Sequence, residues 1–571
     1  MKRTYLTLFI IILVGIAVRL YGINFGLPFL LHNDESIIVN YALSYGKGDL
    51  NPHFFYLPPL LSYVLFFFYG VFYVGGLLAG AFQNVGEFGT LFLNDPTVFY
   101  LIGRVLFGLI PGVISIYLIY SLAKRCFSRL TGLVSAFFLS VNFLHVRDSH
   151  YAYGDIPLTM VILAYFIVLF DIFKSEKARS YVYAGLLLGV GISIKYNAAF
   201  LAVPTLLVML TNLIFYRRHS FLEFIKKGLI LTGASFFAFF ITNPFMFVEM
   251  ETVLHEFRHA LMMNLGVWFH LNISILGSLG ILMLVASGVG MAVALLRRKV
   301  FPAILIIYAF LYYLILTRSS QPNPRYIFPI LPVLLMFAAY FVDVVVSRFR
   351  KESWKIAAGT GLVVVLVFYS CLKVYYVDKL FAEEDTRVLA YQWVVDNIPA
   401  NSVIALDSTG PAYPSLRKTK QQIKENLQTY TARKFPKPEG ALEYKIKLLL
   451  ENPEEDENAY RLYYIKPKVG RKVFFGAYPE VPADLESIKA SGVEYVIVSP
   501  MLERLDKYGD LLIDLKENGT LVEEITPYKN GDVLLEYKTI REPAAAFELR
   551  ELRDRERYGP SFKIYRINKK R

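Results

Sequence analysis

The sequence predicts a polytopic α-helical membrane domain of about twelve spans, residues 1–375, followed by an external soluble α/β domain, residues 376–571. Three observations predict it. Hydrophobic residues make up 55% of the chain and charged residues 19%. Apolar runs near the ~20 residues that cross a bilayer recur through the first part. Positive charge is concentrated in every second connection between those runs.

The formal charge of +13 could signal a nucleic-acid partner, but its distribution argues against one. From Asp378 onward, 32 Lys and Arg balance 32 Asp and Glu, so the surplus lies in the first 377 residues, where 28 basic groups face 15 acidic ones. A surplus restricted to the apolar part is a topology signal, not a nucleic-acid footprint. The opening Met-Lys-Arg and apolar run to Leu20 lack a small-residue cleavage site and read as a retained anchor. Cys126 and Cys371 form no CxxC and no metal spacing, and they fall near opposite faces of the bilayer.

Taken in order, the apolar runs fall at 4–22, 58–81, 98–122, 130–146, 156–173, 181–194, 197–216, 228–248, 273–296, 300–317, 326–346 and 356–375. The pair flanking Lys195 could equally be one kinked element. With the N-terminus in the cytoplasm, the inward connections carry nineteen basic residues against five acidic ones. All other positions up to residue 377 carry nine basic and ten acidic. Adding or removing one span would scramble this alternation, so residues 376–571 are expected outside the cytoplasm. The outward connections are then 23–57, 82–97, 147–155, the turn at Lys195, 249–272 and 318–325. In the first, Asn33 or Asp34 caps a short interfacial helix, Glu35–Tyr45, stopped by Gly46.

Beyond the last span the pattern changes to that of an α/β domain. Thr386–Asn397 reads as an amphipathic helix stopped by Pro399. Ser402–Asp407, Glu494–Ser499, Val533–Tyr537 and Phe562–Ile567 read as strands. The Pro-, Lys- and Tyr-rich segment 408–485 has no clear assignment, and Glu454–Glu457 is a solvated acidic run.

Ionisable side chains near membrane depth are functional candidates. The outward set is Asp34, Glu35, Arg104, Arg147, Asp148, Asp155, Lys195, Arg318 and Arg325. Both signs on one face suit sugar transfer from a lipid-linked phosphate: a carboxylate takes the proton from an incoming hydroxyl, and cations hold the departing phosphate. The structural alternative is that the carboxylates cap a helix while the cations snorkel to headgroups. Glu35 in particular reads equally well as a helix's first turn.

At this point the chain resembles a known superfamily. His32-Asn33-Asp34-Glu35 after the first span and Tyr56-Leu57-Pro58-Pro59-Leu60 opening the second are similar to GT-C glycosyltransferases. The nearest group is family-39-like, with the protein O-mannosyltransferases and the lipid A aminoarabinose transferase. Phe143 to His150 with Asp155 and Pro157, Lys195-Tyr196, Asn243-Pro244-Phe245, and Arg325-Tyr326 with Pro329 and Pro332 follow in order. Trp393 to Pro399, Tyr495 to Ser499 and Ile564-Tyr565-Arg566 extend the likeness into the external domain. The resemblance implies a GT-C fold and an inverting enzyme that moves a sugar from a polyprenyl- or dolichyl-phosphate donor to a lipid, glycan or protein hydroxyl. It implies Asp34 as base. Asp155, with Glu35, would orient the acceptor or a divalent cation, and Lys195, Arg325 and Arg147 would face the donor phosphate. A divalent cation is the one cofactor left open, and its ligands are unassigned. The luminal repeat domain of the protein mannosyltransferases has no counterpart here.

His255-Glu256-Phe257-Arg258-His259 fits H-E-x-x-H, the zincin signature, in which two His on one helix face bind zinc beside a Glu base. Arg258 inside the motif opposes a metal. The alternative is a polar interfacial helix in the 249–272 connection that holds acceptor or donor. A transporter or flippase would place charges deep on several spans, with repeats; no repeat is evident. Asn518-Gly519-Thr520 is a glycosylation sequon, a motif frequent by chance.

Overall fold

The computed structural model describes residues 2–29, 33–260, 267–318, 323–407, 413–432, 449–450, 458–466, 479–499, 510–529 and 548–568. Within helices, the side chains of Lys2, Arg3, Asn33, 257–260, Val267 and 427–432 lie outside that description. So do all of His32, the strand expected at Val533–Tyr537 and the run Glu454–Glu457. The chain divides into two units: residues 1–23, 41–68 and 101–378, and residues 24–40, 69–100 and 379–571.

Each of the twelve expected apolar runs coincides with an apolar helix. Seven are long and apolar enough to cross a bilayer, and the other five, Thr4–Leu20, Arg129–Ser140, Ala178–Ile194, Val300–Leu316 and Leu331–Val346, are shorter. Aromatic and aliphatic side chains such as Phe215, Leu229, Phe237 and Leu296 are exposed on them, as a lipid-facing surface requires. The chain is therefore a multi-pass membrane protein.

Within the first unit, close packing depends on small residues. Helix Ala178–Ile194 lies against Phe221–Thr242 at Gly185 and Gly189. A Cβ at either glycine would fall 2.3 Å from a backbone carbonyl, of Leu231 or Ser235, so only glycine allows this approach. Buried polar groups are satisfied locally. Arg19 is fully buried and donates to the Gly15 and Ser140 carbonyls at 2.8 and 2.9 Å and to Ser149 Oγ at 3.2 Å. It thereby ties the end of the first helix to the turn before Asp155. Ser128 Oγ caps helix Arg129–Ser140 by accepting from the Thr131 N–H at 3.1 Å, and the Ser128 and Thr131 hydroxyls donate to Asp343 Oδ2 at 2.6 and 2.7 Å.

The second unit contains a mixed sheet. Its strands are β1 (Val403–Leu406), β2 (Arg417–Lys418), β3 (Ala459–Lys466), β4 (Glu480–Pro482), β5 (Tyr495–Val498), β6 (Gly519–Ile525) and β7 (Phe562–Ile567). Their order is β2-β3-β1-β5-β7-β6, with β4 also on β3. β1 to β5 pair parallel and β6 and β7 antiparallel. Alternate residues feed two cores: Ala405, Val496, Val498 and Tyr565 on one face, and Ile404, Leu406, Ile497 and Ile564 on the other. Burial on both faces explains why these strands read as continuous apolar runs. Helix Thr386–Asn397 has the expected bounds. β3 and β4 fall in the segment that the sequence left unassigned.

One boundary is corrected. The helix expected at Glu35–Tyr45 spans Asn33–Ser44 and continues as a 3₁₀ turn, Tyr45–Lys47, that contains Gly46. The stop is Gly48, at φ +92°, whose N–H returns to the Tyr45 carbonyl. Only the residue that must turn left-handed needs to be glycine.

Candidate active site

Three helix ends of the first unit bring charged side chains together. Asp155 opens helix Asp155–Ser175, where the helix dipole favours a carboxylate. Lys195 is the first residue past helix Ala178–Ile194, in extended backbone (φ −159°, ψ 128°), so the chain breaks there rather than bending. That helix end is fixed by Ser193: its hydroxyl lies 2.6 Å from Thr242 Oγ1 and accepts from Asn243 Nδ2 at 2.7 Å. Arg325 sits in the 3₁₀ turn Pro324–Ile327, whose first N–H is capped by Asn323 Oδ1 at 3.3 Å.

Lys195 Nζ donates to Asp155 Oδ1 at 2.6 Å, and Arg325 Nε lies 3.4 Å from Asp155 Oδ2. The Asp155 side chain is 4% exposed, that of Arg325 10% and that of Lys195 21%, so Lys195 is the most open of the three. Both cations rest on aromatic faces: Lys195 Nζ is 4.7 Å from the Tyr326 ring centre, and Arg325 Cζ is 4.6 Å from that of Tyr153. Desolvated contacts of this kind hold a cation without neutralising it.

Tyr153 connects this pair to a second one. Its hydroxyl donates to Asp148 Oδ1. Arg147 grips the same carboxylate through Nη2 at 2.8 and 3.0 Å and Nε at 3.2 Å. Burial raises the Asp148 carboxyl pKa, while Arg147, Tyr153 and Arg325 oppose that rise. The cluster therefore combines three cations, Arg147, Lys195 and Arg325, with two carboxylates, Asp148 and Asp155.

Asp34 and Glu35, both in the second unit, open helix Asn33–Ser44; Asp34 is partly exposed and Glu35 is 1% exposed. The expected group thus divides: Asp155, Lys195, Arg325 and Arg147 gather within one unit, and Asp34 and Glu35 stand side by side in the other. The roles of Asp148, Tyr153 and Tyr326 have no sequence signal beyond the single charge of Asp148, because each meets its partner through the turn of the chain or across a large sequence separation.

A divalent cation does not suit Asp155. Its two oxygens already face two cations, whereas a Mg²⁺ or Mn²⁺ site needs oxygen ligands free of such competition. Among the described residues no group of three His, Cys, Asp or Glu side chains is placed to hold a metal ion, and no step below uses one.

The H-E-x-x-H stretch lies on helix Met250–Ala260. His255 is exposed, and the side chain of His259 lies outside the described residues. Glu256 Oε2 accepts from the Phe55 N–H at 2.7 Å, and partial burial raises its pKa against that bond. Its carboxylate ties this helix to the segment before the second span.

A family model described as dolichyl-phosphate-mannose-protein mannosyltransferase matches residues 99–245, a stretch that holds Arg147, Asp155 and Lys195. No curated protein matches the chain. Among solved structures, the archaeal oligosaccharyltransferase AglB from Archaeoglobus fulgidus, in complex with an inhibitory peptide and a dolichol-phosphate, is 13% identical at a TM-score of 0.48, covering 91% of this chain and 72% of its own. ArnT from Cupriavidus metallidurans bound to undecaprenyl phosphate is 13% identical at 0.45, covering 91% and 96%. The S. cerevisiae protein O-mannosyltransferase Pmt1-Pmt2 complex is 18% identical at 0.31, covering 44% and 34%. The chain is thus a multi-pass membrane protein that is similar, over residues 99–245, to the dolichyl-phosphate-mannose-protein mannosyltransferases.

Proposed function

We propose that the protein is a membrane glycosyltransferase that moves a sugar from a polyprenyl- or dolichyl-phosphate donor to an acceptor hydroxyl, with inversion, on the non-cytoplasmic face. The observation that carries this reading is the Lys195–Asp155–Arg325 cluster with Arg147 behind it. The acceptor oxygen attacks the anomeric carbon as Asp34 removes its proton, with Glu35 beside it. The bond from that carbon to the phosphate oxygen breaks, and the phosphodiester becomes a monoester with one more negative charge. Lys195 and Arg325 hold that growing charge, which is strongest where water is excluded. Asp155 keeps the two cations in place before the donor arrives. One displacement without a covalent sugar intermediate inverts the anomeric centre. The N-terminus lies in the cytoplasm and residues 376–571 outside it, and the acceptor is a lipid, glycan or protein.

The test is transfer from defined polyprenyl- and dolichyl-phosphate sugars by the purified protein. Asp34→Asn should lower turnover about 10²–10⁴-fold, the range of general-base catalysis. Undiminished transfer by the variant removes Asp34 from the mechanism.

A further inference from the structure

Helix Met250–Ala260 has no part in the chemistry above, yet two carboxylates bind it to the segment before the second span. Glu249, just before the helix, and Glu256, two turns on, fall on one face. Glu249 Oε1 accepts from Asn51 Nδ2 at 2.6 Å and pairs with His53 Nδ1 at 2.5 Å. His53 adopts φ +49° and its Nε2 lies 3.2 Å from Asp49 Oδ2, so the chain is sharply folded there. Glu256 takes the Phe55 N–H at 2.7 Å. The carbonyl of the same residue accepts from Tyr196 Oη at 2.6 Å. Phe55 is fully buried and packs with Met246, Val253 and Tyr196. Both backbone polar groups of one buried residue are therefore held, one by Glu256 and the other by the neighbour of Lys195.

We infer that Glu256 is a positioning residue for the phosphate-holding lysine, acting through the Phe55 peptide and Tyr196. The inference rests on the transferase reading. If Phe55 loses its partner on the helix, the strap 49–55 shifts, Tyr196 loses its acceptor, and the backbone beside Lys195 is no longer fixed. A purely structural bond would change melting temperature without changing affinity for the phosphate.

Binding of polyprenyl monophosphate to the full-length protein, measured without turnover, tests this directly. Glu256→Ala should weaken binding about tenfold and lower kcat, the scale of one lost hydrogen bond to a charged group. Glu256→Gln keeps an oxygen for the Phe55 N–H and should restore both. Tyr196→Phe should weaken binding as much as Glu256→Ala. The double variant should be no weaker than either single one, because both act on one peptide. Wild-type affinity in Glu256→Ala, failure of Glu256→Gln to rescue, or additive losses in the double variant would each overturn the inference alone. A wild-type protein that binds no polyprenyl monophosphate would overturn the transferase reading, and this inference with it.

Discussion

Replacing Asp155 by Asn isolates the role assigned to that carboxylate. Asp155 lies 2.6 Å from Lys195 Nζ and 3.4 Å from Arg325 Nε and is almost fully buried. At an effective dielectric of about 20 the two attractions are each roughly 5–6 kcal/mol before desolvation is subtracted. Removing one partner of a buried pair costs a net ~3–5 kcal/mol, because the remaining charges stay buried. Asn keeps the shape and an oxygen for Lys195, so the low end, about 3 kcal/mol, is expected. The melting temperature in detergent should fall by several degrees. The same substitution removes a negative charge from beside the two cations expected to hold the phosphate, a repulsion whose loss is on the order of 1 kcal/mol, or up to about tenfold in affinity. Polyprenyl monophosphate should therefore bind Asp155→Asn up to about tenfold more tightly than wild type and raise its melting temperature more, since the ligand replaces the missing charge. Turnover should fall, because the cations lose their alignment. A variant with wild-type melting temperature, or with weaker phosphate binding, would refute the assignment of Asp155 as the counter-charge of Lys195 and Arg325.

Three further outcomes follow from the structure. Gly189→Val puts a side chain against the Ser235 carbonyl, 2.3 Å from the Cβ position, and should destabilise the protein by about 1–3 kcal/mol through overpacking, read by thermal unfolding. Burial holds the Asp407 acid, which accepts from the Ser499 N–H at the end of β1, well above the ordinary carboxylate range. The folded state then binds more protons than the unfolded state above about pH 4, so stability falls as pH rises from there through the folded pKa; Asp407→Asn should flatten that slope in melting curves. Metal analysis of purified wild-type protein should show no stoichiometric zinc, and Glu256→Gln should retain transfer, whereas stoichiometric zinc together with peptidase activity abolished by Glu256→Gln would establish the protease reading of H-E-x-x-H.

Much of the fold was legible because a bilayer enforces simple rules. Length and apolarity mark each helix, so all twelve runs meet one. The grouping of Asp155, Lys195 and Arg325 followed from the same rules, since all three were expected on one face. What was not legible is local geometry that depends on distant chain segments. Arg325 meets Tyr153 across more than 170 positions, and no spacing pattern encodes such a pair. Asp148 was visible as a charge, but not as the shared partner of Arg147 and Tyr153. The true end of the Asp34 helix was missed because two nearby glycines are equal in sequence and only Gly48 takes positive φ. β3 was hidden because Arg461 and Lys466 interrupt and end a run in which Ala459, Tyr460, Leu462, Tyr464 and Ile465 are buried.

The central claim is that Lys195 and Arg325 hold the phosphate of a lipid carrier. The most direct measurement compares equilibrium binding of a polyprenyl monophosphate with that of the corresponding polyprenol, for wild type, Lys195→Met and Arg325→Met. The account predicts that wild type prefers the phosphate by at least about a hundredfold, and that each substitution removes about 10–100-fold of that preference, the scale of one charge-assisted hydrogen bond, while polyprenol binding stays unchanged. Equal affinity of wild type for phosphate and alcohol, or a preference that survives both substitutions, would contradict it.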